Sequence, residues 1–147
     1  ALVKNVELFG GTVSACGEFQ PIRDGLVSTG QMAAAFNGNT LYEHALVLTS
    51  AMGPVVVTGC AHPGIVPILE RVRQWSGGGI YLVLGGFHLL DAADEEILKI
   101  IDRMKDLDVA NVAPTHCTGE RATELMRHHF GSRFVEIRNG SNVEIPG

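Results

Sequence analysis

The sequence predicts an α/β fold, a mixed sheet with three helices, in one domain over residues 1–147. Three observations predict it. Short runs rich in Val, Leu and Ile alternate with stretches whose apolar residues recur at helical spacing. Two of the runs, Val55-Val56-Val57 and Tyr81-Leu82-Val83-Leu84, are continuous instead of alternating, as strands buried on both faces are. Gly, Pro, Asn-Gly and Asp-Gly steps fall between the segments, where turns belong.

Taken in order, Val6-Glu7-Leu8-Phe9 is predicted as a strand. Gly10-Gly11, Pro21, Asp24-Gly25, Thr29-Gly30 and Asn37-Gly38 punctuate residues 10–40 as loops or hairpins. Ala45 to Thr49 and Pro54 to Thr58 read as two strands of a hairpin around Ser50-Ala51-Met52-Gly53. Ile65, Ile68, Leu69, Val72 and Trp75 give a helix, with Pro67 tolerated in its first turn and Gly77-Gly78-Gly79 ending it. Ile80 to Leu84 is the next strand. A helix follows with Asp91 as its expected N-cap, negative charge at Asp94, Glu95 and Glu96, and a stripe of Ile97, Ile100, Ile101, Met104 and Leu107. Val109 to Ala113 is a strand. Ala122, Leu125, Met126, His129 and Phe130 line the last helix, which Gly131 ends, and Phe134 to Arg138 and Asn142 to Ile145 read as closing strands.

Three helices cover roughly one face of such a sheet. The continuous apolar strands therefore call for something on the other face. The expectation is a second sheet, mostly from residues outside this chain or from a partner chain, including another copy of it.

Composition narrows the function. The net charge is −5 with no Lys/Arg cluster, which argues against nucleic acid as a partner. The three cysteines, Cys16, Cys60 and Cys117, include no CxxC pair, so a reducing cytoplasm is the simplest compartment. The apolar region from Ala45 to Ala61 is cut by Gly53-Pro54 and Gly59 and reads as strands, so no membrane span is expected.

The chemistry sits at three strand ends. Thr58-Gly59-Cys60-Ala61-His62-Pro63-Gly64, Leu84-Gly85-Gly86-Phe87-His88-Leu89 and Pro114-Thr115-His116-Cys117-Thr118-Gly119 each place a histidine in the turn after a strand. Ligand sites of open α/β sheets lie outside the carboxyl ends of strands. Imidazole is a common metal ligand, and Asp91, Cys60 and Cys117 are further donors nearby. Three other readings fit the same residues. Cys60, at a strand-to-helix turn, could be a nucleophile with His116 or His88 as its base, although the G-x-nucleophile-x-G spacing is lacking. The Gly-rich turns could hold phosphate, although no G-x-G-x-x-G or Walker sequence occurs. The histidines could simply cap helices and fill turns. Asp91 lies close enough in sequence to orient His88. His128 should be exposed, His129 packed, and His44 has no evident partner.

These three turns resemble the metallo-β-lactamase superfamily, in particular the metal-dependent hydrolases related to dihydropterin-aminobenzene-phosphate synthase. Asp24 to Gly30 and Glu43-His44-Ala45-Leu46 also fit. The resemblance implies the C-terminal half of an αββα sandwich with a metal site at one edge of the two sheets. It implies His62 as a ligand of a first metal and His116 as a ligand of a second. His88 stands where many members place a bridging aspartate, so it would be a ligand, a substrate contact or a proton donor. The implied cofactor is zinc, with manganese or iron as alternatives. The implied activity is attack of metal-activated water on an ester, amide or phosphoester of a small molecule. The superfamily's HxHxDH motif is absent, and no H-x-H occurs anywhere in the chain. The expectation is that the N-terminal half bearing that motif is the missing partner, that the chain alone does not bind two metals tightly, and that it is inactive alone. The alternative is a binding or assembly module that keeps the fold without the chemistry.

Overall fold

The computed structural model describes the backbone of residues 2–145 and the side chains of residues 3–145. Its elements run α1 (Leu2–Leu8), β1 (Gln20–Arg23), β2 (Leu26–Ser28), β3 (Met32–Phe36), β4 (Asn39–Glu43), β5 (Leu46–Leu48), β6 (Val55–Thr58), α2 (Ile65–Ser76), β7 (Ile80–Gly86), α3 (Asp94–Asp106), β8 (Val109–Thr115) and α4 (Glu120–Phe130). Short 3-10 turns follow β8 at His116–Thr118 and α4 at Gly131–Arg133.

Six strands form one mixed sheet in the order β1-β2-β5-β6-β7-β8, and β3-β4 is a separate hairpin. The pairs β1–β2, β2–β5 and β5–β6 are antiparallel, whereas β6–β7 and β7–β8 are parallel and joined through α2 and α3. Parallel neighbours require such crossovers, and the helices they contain land on a face of the sheet. In register, Val27, Val47, Val56, Val83 and Val112 make one row across the sheet. The last four of these are fully buried against Ile65, Ile68, Leu69 and Val72 of α2, Ile97, Ile101 and Met104 of α3, and Ala122, Met126 and Phe130 of α4. The stripes predicted for the three helices therefore face one core, with the exception of Trp75, which is exposed and stacks on Phe19 with ring centroids 5.0 Å apart.

The opposite face is also apolar. Leu48, Val55 and Leu82 form one row on it, and Leu46, Val57, Leu84 and Ala113 the next. Part of its cover comes from this chain: Val135, Ile137, Val143 and Ile145 pack on Val55, Leu82 and Ala113. These tail residues are not the two closing strands that the sequence predicts. Val135 N–H bonds Val112 C=O at 2.8 Å and a single bridge joins Phe134 to Val112, with no ladder beyond. The alternating apolar side chains lie down on the sheet face, so extending its edge is not what satisfies them.

Two further expectations are corrected. Val6 to Phe9 is not a strand: residues 2–8 are helical, and Gly10 N–H and Gly11 N–H close the turn on Glu7 C=O and Val6 C=O at 3.0 and 2.9 Å. These local bonds satisfy the backbone without a partner strand. Asp91 is not the cap of α3: the helix begins at Asp94 with Ala93 as N-cap, and Asp94, Glu95 and Glu96 supply the favourable charge in its first turn. The predicted turn at Asn37-Gly38 does connect β3 to β4, with both residues at positive φ as a tight two-residue hairpin requires.

Candidate metal centre

Because β6, β7 and β8 are parallel, their carboxyl ends share one edge and the turns after them lie side by side. Bonds between turns lock them together. Gly86 N–H donates to Gly59 C=O at 2.9 Å, and Leu89 N–H to Cys117 C=O at 3.2 Å. Thr58 Oγ1 donates to Gly86 C=O at 2.9 Å. Thr118 Oγ1 accepts from Phe87 N–H at 3.1 Å and donates to Thr115 C=O at 2.7 Å. The packing leaves no room at Gly86, where a Cβ would lie 2.5 Å from the Gly59 carbonyl oxygen and 2.7 Å from Cys117 Sγ. Ala61, His88 and His116 adopt left-handed φ of 59°, 52° and 52°. That conformation costs a residue with a Cβ about 1–2 kcal/mol. Such strain collects at functional sites.

His62 is held by a residue that its own turn does not contain. Its Nδ1 lies 3.0 Å from Glu43 Oε2, at the end of β4. The same oxygen accepts His62 N–H at 2.6 Å, and Oε1 accepts Cys60 N–H at 3.1 Å. Burial pushes the Glu43 carboxyl up, but the bonds from the His62 and Cys60 amides and the His62 ring outweigh it and hold it below its ordinary value. An ionised carboxylate only accepts, so Nδ1 is the ring nitrogen that donates to it, and Nε2 is the one left to face a metal.

His88 is exposed, and its ring centroid lies 4.4 Å from that of His62. Phe36, at the end of β3, sets its ring against both, at 4.5 Å from His62 and 6.1 Å from His88. His116, also exposed, falls with Cys60 and Cys117 instead: one ligand atom from each lies within 4.8 Å of the others. A second group with the same limit joins Glu43, Cys60 and His62. Cys60 belongs to both, so the two groups of donors adjoin through it. The three histidines meet at one edge as a pair plus one, and Cys60 is grouped with His62 and with His116.

Other sequence expectations resolve differently. Asp91 makes no hydrogen bond to His88 among the described residues; both line a cavity of about 280 Å³ with Leu90, Ala92, Glu96 and Cys117. Asp91 lies in the turn at residues 89–92, closed by Ala92 N–H on Leu89 C=O at 3.1 Å. Partial burial, then the neighbouring Cys117 thiol and the Glu43 carboxylate, push the Cys60 thiol above its ordinary value, the opposite of what a nucleophile requires. His44 does have a partner, Ser28 Oγ at 2.7 Å from its Nδ1. His129 is half-buried and His128 exposed.

No family model matches the chain. A crystal structure of a metal-dependent hydrolase of the beta-lactamase superfamily superposes with a TM-score of 0.84 at 29% identity, over 98% of this chain and 63% of that one. In fold and in sequence the chain is similar to proteins of the metallo-β-lactamase superfamily. Over 103 residues it is 35% identical to 7,8-dihydropterin-6-methyl-4-(beta-D-ribofuranosyl)-aminobenzene-5'-phosphate synthase of Methanocaldococcus jannaschii, which is 69% of this chain and 35% of the synthase. An uncharacterized protein of the same archaeon is 40% identical over 68 residues, 46% of this chain and 25% of that protein. The matched stretch is thus about a third or less of each curated relative. No helix of the described residues is long and apolar enough to cross a membrane.

Proposed function

We propose that this chain supplies part of the active centre of a metal-dependent hydrolase that acts on an ester, amide or phosphoester of a small molecule. His62 would hold one ion and His116 a second. The observation that carries this reading is the pairing of His62 with Glu43, because a carboxylate fixing one ring nitrogen while freeing the other is the usual support of a metal-ligating histidine. Imidazole and carboxylate donors fit zinc, manganese or iron, and the adjacent thiols favour zinc. When bound, such an ion supplies Lewis acidity and activates water near neutral pH.

The chain's own residues have distinct parts. Glu43 orients His62. His88, exposed beside His62 and opening on the cavity next to Asp91, contacts substrate or donates a proton to its leaving group. Phe36 screens one side of the His62–His88 pair from solvent. With no H-x-H in these 147 residues, the remaining ligands come from outside them, on a segment bearing HxHxDH. The test is a phosphodiester hydrolysis assay with zinc or manganese on the chain alone, and on the chain mixed with an HxHxDH-bearing segment of the superfamily. Activity that appears only in the mixture, and is lost with a chelator or in His62→Ala, supports the reading. A folded mixture that hydrolyses nothing, yet still binds a small ligand through these turns, supports a binding module instead.

A further inference from the structure

We propose that Cys60, His116 and Cys117 form a thiolate–imidazole metal site of their own, suited to zinc or cadmium and not to manganese. The three donors come from two turns 56 residues apart in sequence, Cys60 against His116, yet their ligand atoms already lie within 4.8 Å of one another. In a tetrahedral zinc site, with Zn–S near 2.3 Å and Zn–N near 2.0 Å, donor atoms stand about 3.5–3.8 Å apart. Closing the cluster on an ion therefore needs shifts of about 1 Å, within reach of side-chain rotation.

The backbone holds the donors where an ion would want them. Thr118 pins the 3-10 turn of His116 and Cys117 to Phe87 and Thr115. Gly86 lets Cys117 Sγ sit against the β6–β7 junction, where its thiol donates to Cys60 C=O at 3.5 Å. Both cysteines are free and half-buried, and His116 is exposed. Three protein ligands with an open side is the arrangement of a zinc site that keeps a place for water or substrate. Two thiolates select a soft or borderline ion over manganese. All three donors belong to this chain. A neutral imidazole has one free lone pair, so this site and the second hydrolytic ion are alternative uses of His116, and this one forms in the chain without an HxHxDH segment.

The test titrates the reduced, full chain with cobalt(II) and cadmium(II) and reads sulfur-to-metal charge-transfer absorption. The expected result is one ion per chain with that absorption, displaced by zinc and untouched by excess manganese. Cys60→Ser and Cys117→Ser should each remove the absorption and weaken zinc binding by more than about 100-fold, the upper end of what losing an outer-shell partner costs. His62→Ala should leave it in place. In the unmodified chain, zinc should shield Cys60 and Cys117 from iodoacetamide and leave Cys16 reactive, a readout independent of whether a variant folds. Absence of the absorption, its survival in both serine variants, its loss in His62→Ala, or alkylation of Cys60 and Cys117 that zinc does not slow would each overturn the proposal. None of these readings depends on hydrolysis.

Discussion

The two ends of β6, β7 and β8 are turned by similar means and carry different side chains. At the amino ends the left-handed positions fall on Gly53, Gly77 and Asp108. These turns close on themselves, as in Gly77 N–H to Arg73 C=O and Asp108 N–H to Lys105 C=O, both at 2.9 Å, and meet one another through backbone, as in Tyr81 N–H to Pro54 C=O at 2.9 Å and Ile80 N–H to Asp108 C=O at 3.1 Å. At the carboxyl ends glycines share the left-handed positions with Ala61, His88 and His116, and the bonds run between turns. Glycine or Asp serves where the chain has only to reverse. Where chemistry is placed, a side chain is kept despite the backbone cost.

Several substitutions can break or sharpen that contrast. The largest effect belongs to the ligands. In the zinc- or manganese-dependent mixture, His62→Ala and His116→Ala should each lower phosphoesterase activity by more than about 100-fold. Asp108→Gly, at the amino end, should leave it unchanged. Equal losses at both ends would mean that the activity reports folding and not the turns. Next, Gly86→Ala should destabilise by about 1–3 kcal/mol, since its Cβ meets the Gly59 carbonyl oxygen at 2.5 Å. Gly78→Ala, with nothing within 4 Å and no positive φ, should be neutral or stabilising by up to about 1 kcal/mol in urea unfolding. A smaller effect of opposite sign is expected at His88. His88→Gly relieves the left-handed strain and should hold or raise stability by up to about 1 kcal/mol while lowering turnover.

The smallest effect concerns acid. The folded Glu43 carboxyl lies below its ordinary value, so the stability it contributes is present above the ordinary carboxylate range and is lost as pH falls through the lowered value. Urea midpoints measured between neutral and acid pH should therefore fall less steeply for Glu43→Gln, which does not titrate. Parallel pH curves for the two proteins would show that Glu43 is not held this way.

The part of the chain from β5 to α4 was legible because its signals are local. Val55-Val56-Val57 and Tyr81 to Leu84 declare buried strands, and the stripes of the three helices recur at their proper period. The histidines in the following turns were legible for the same reason. What escaped depends on long-range contact. Glu43 ends a hairpin strand with nothing around it to mark a ligand support, and its partners lie 17 and 19 residues on. The chance to see it lay in reading Glu43 together with the motif it fits, since a carboxylate facing a turn of histidine and free amides has an evident use. The meeting of Cys60 with Cys117, 57 residues apart, has no sequence signature at all. The tail from Val135 to Ile145 alternates like a strand, and periodicity does not distinguish lying on a sheet face from pairing with its edge.

The claim that the carboxyl-end turns form a metal centre is tested most directly by zinc titration of the isotopically labelled chain, read at backbone amides by nuclear magnetic resonance. The account predicts shifts concentrated at residues 59–62, 86–90 and 115–119, with residues 51–53, 77–79 and 107–108 unmoved. Shifts centred instead on His128 and His129, or spread equally over both ends of the strands, would contradict it.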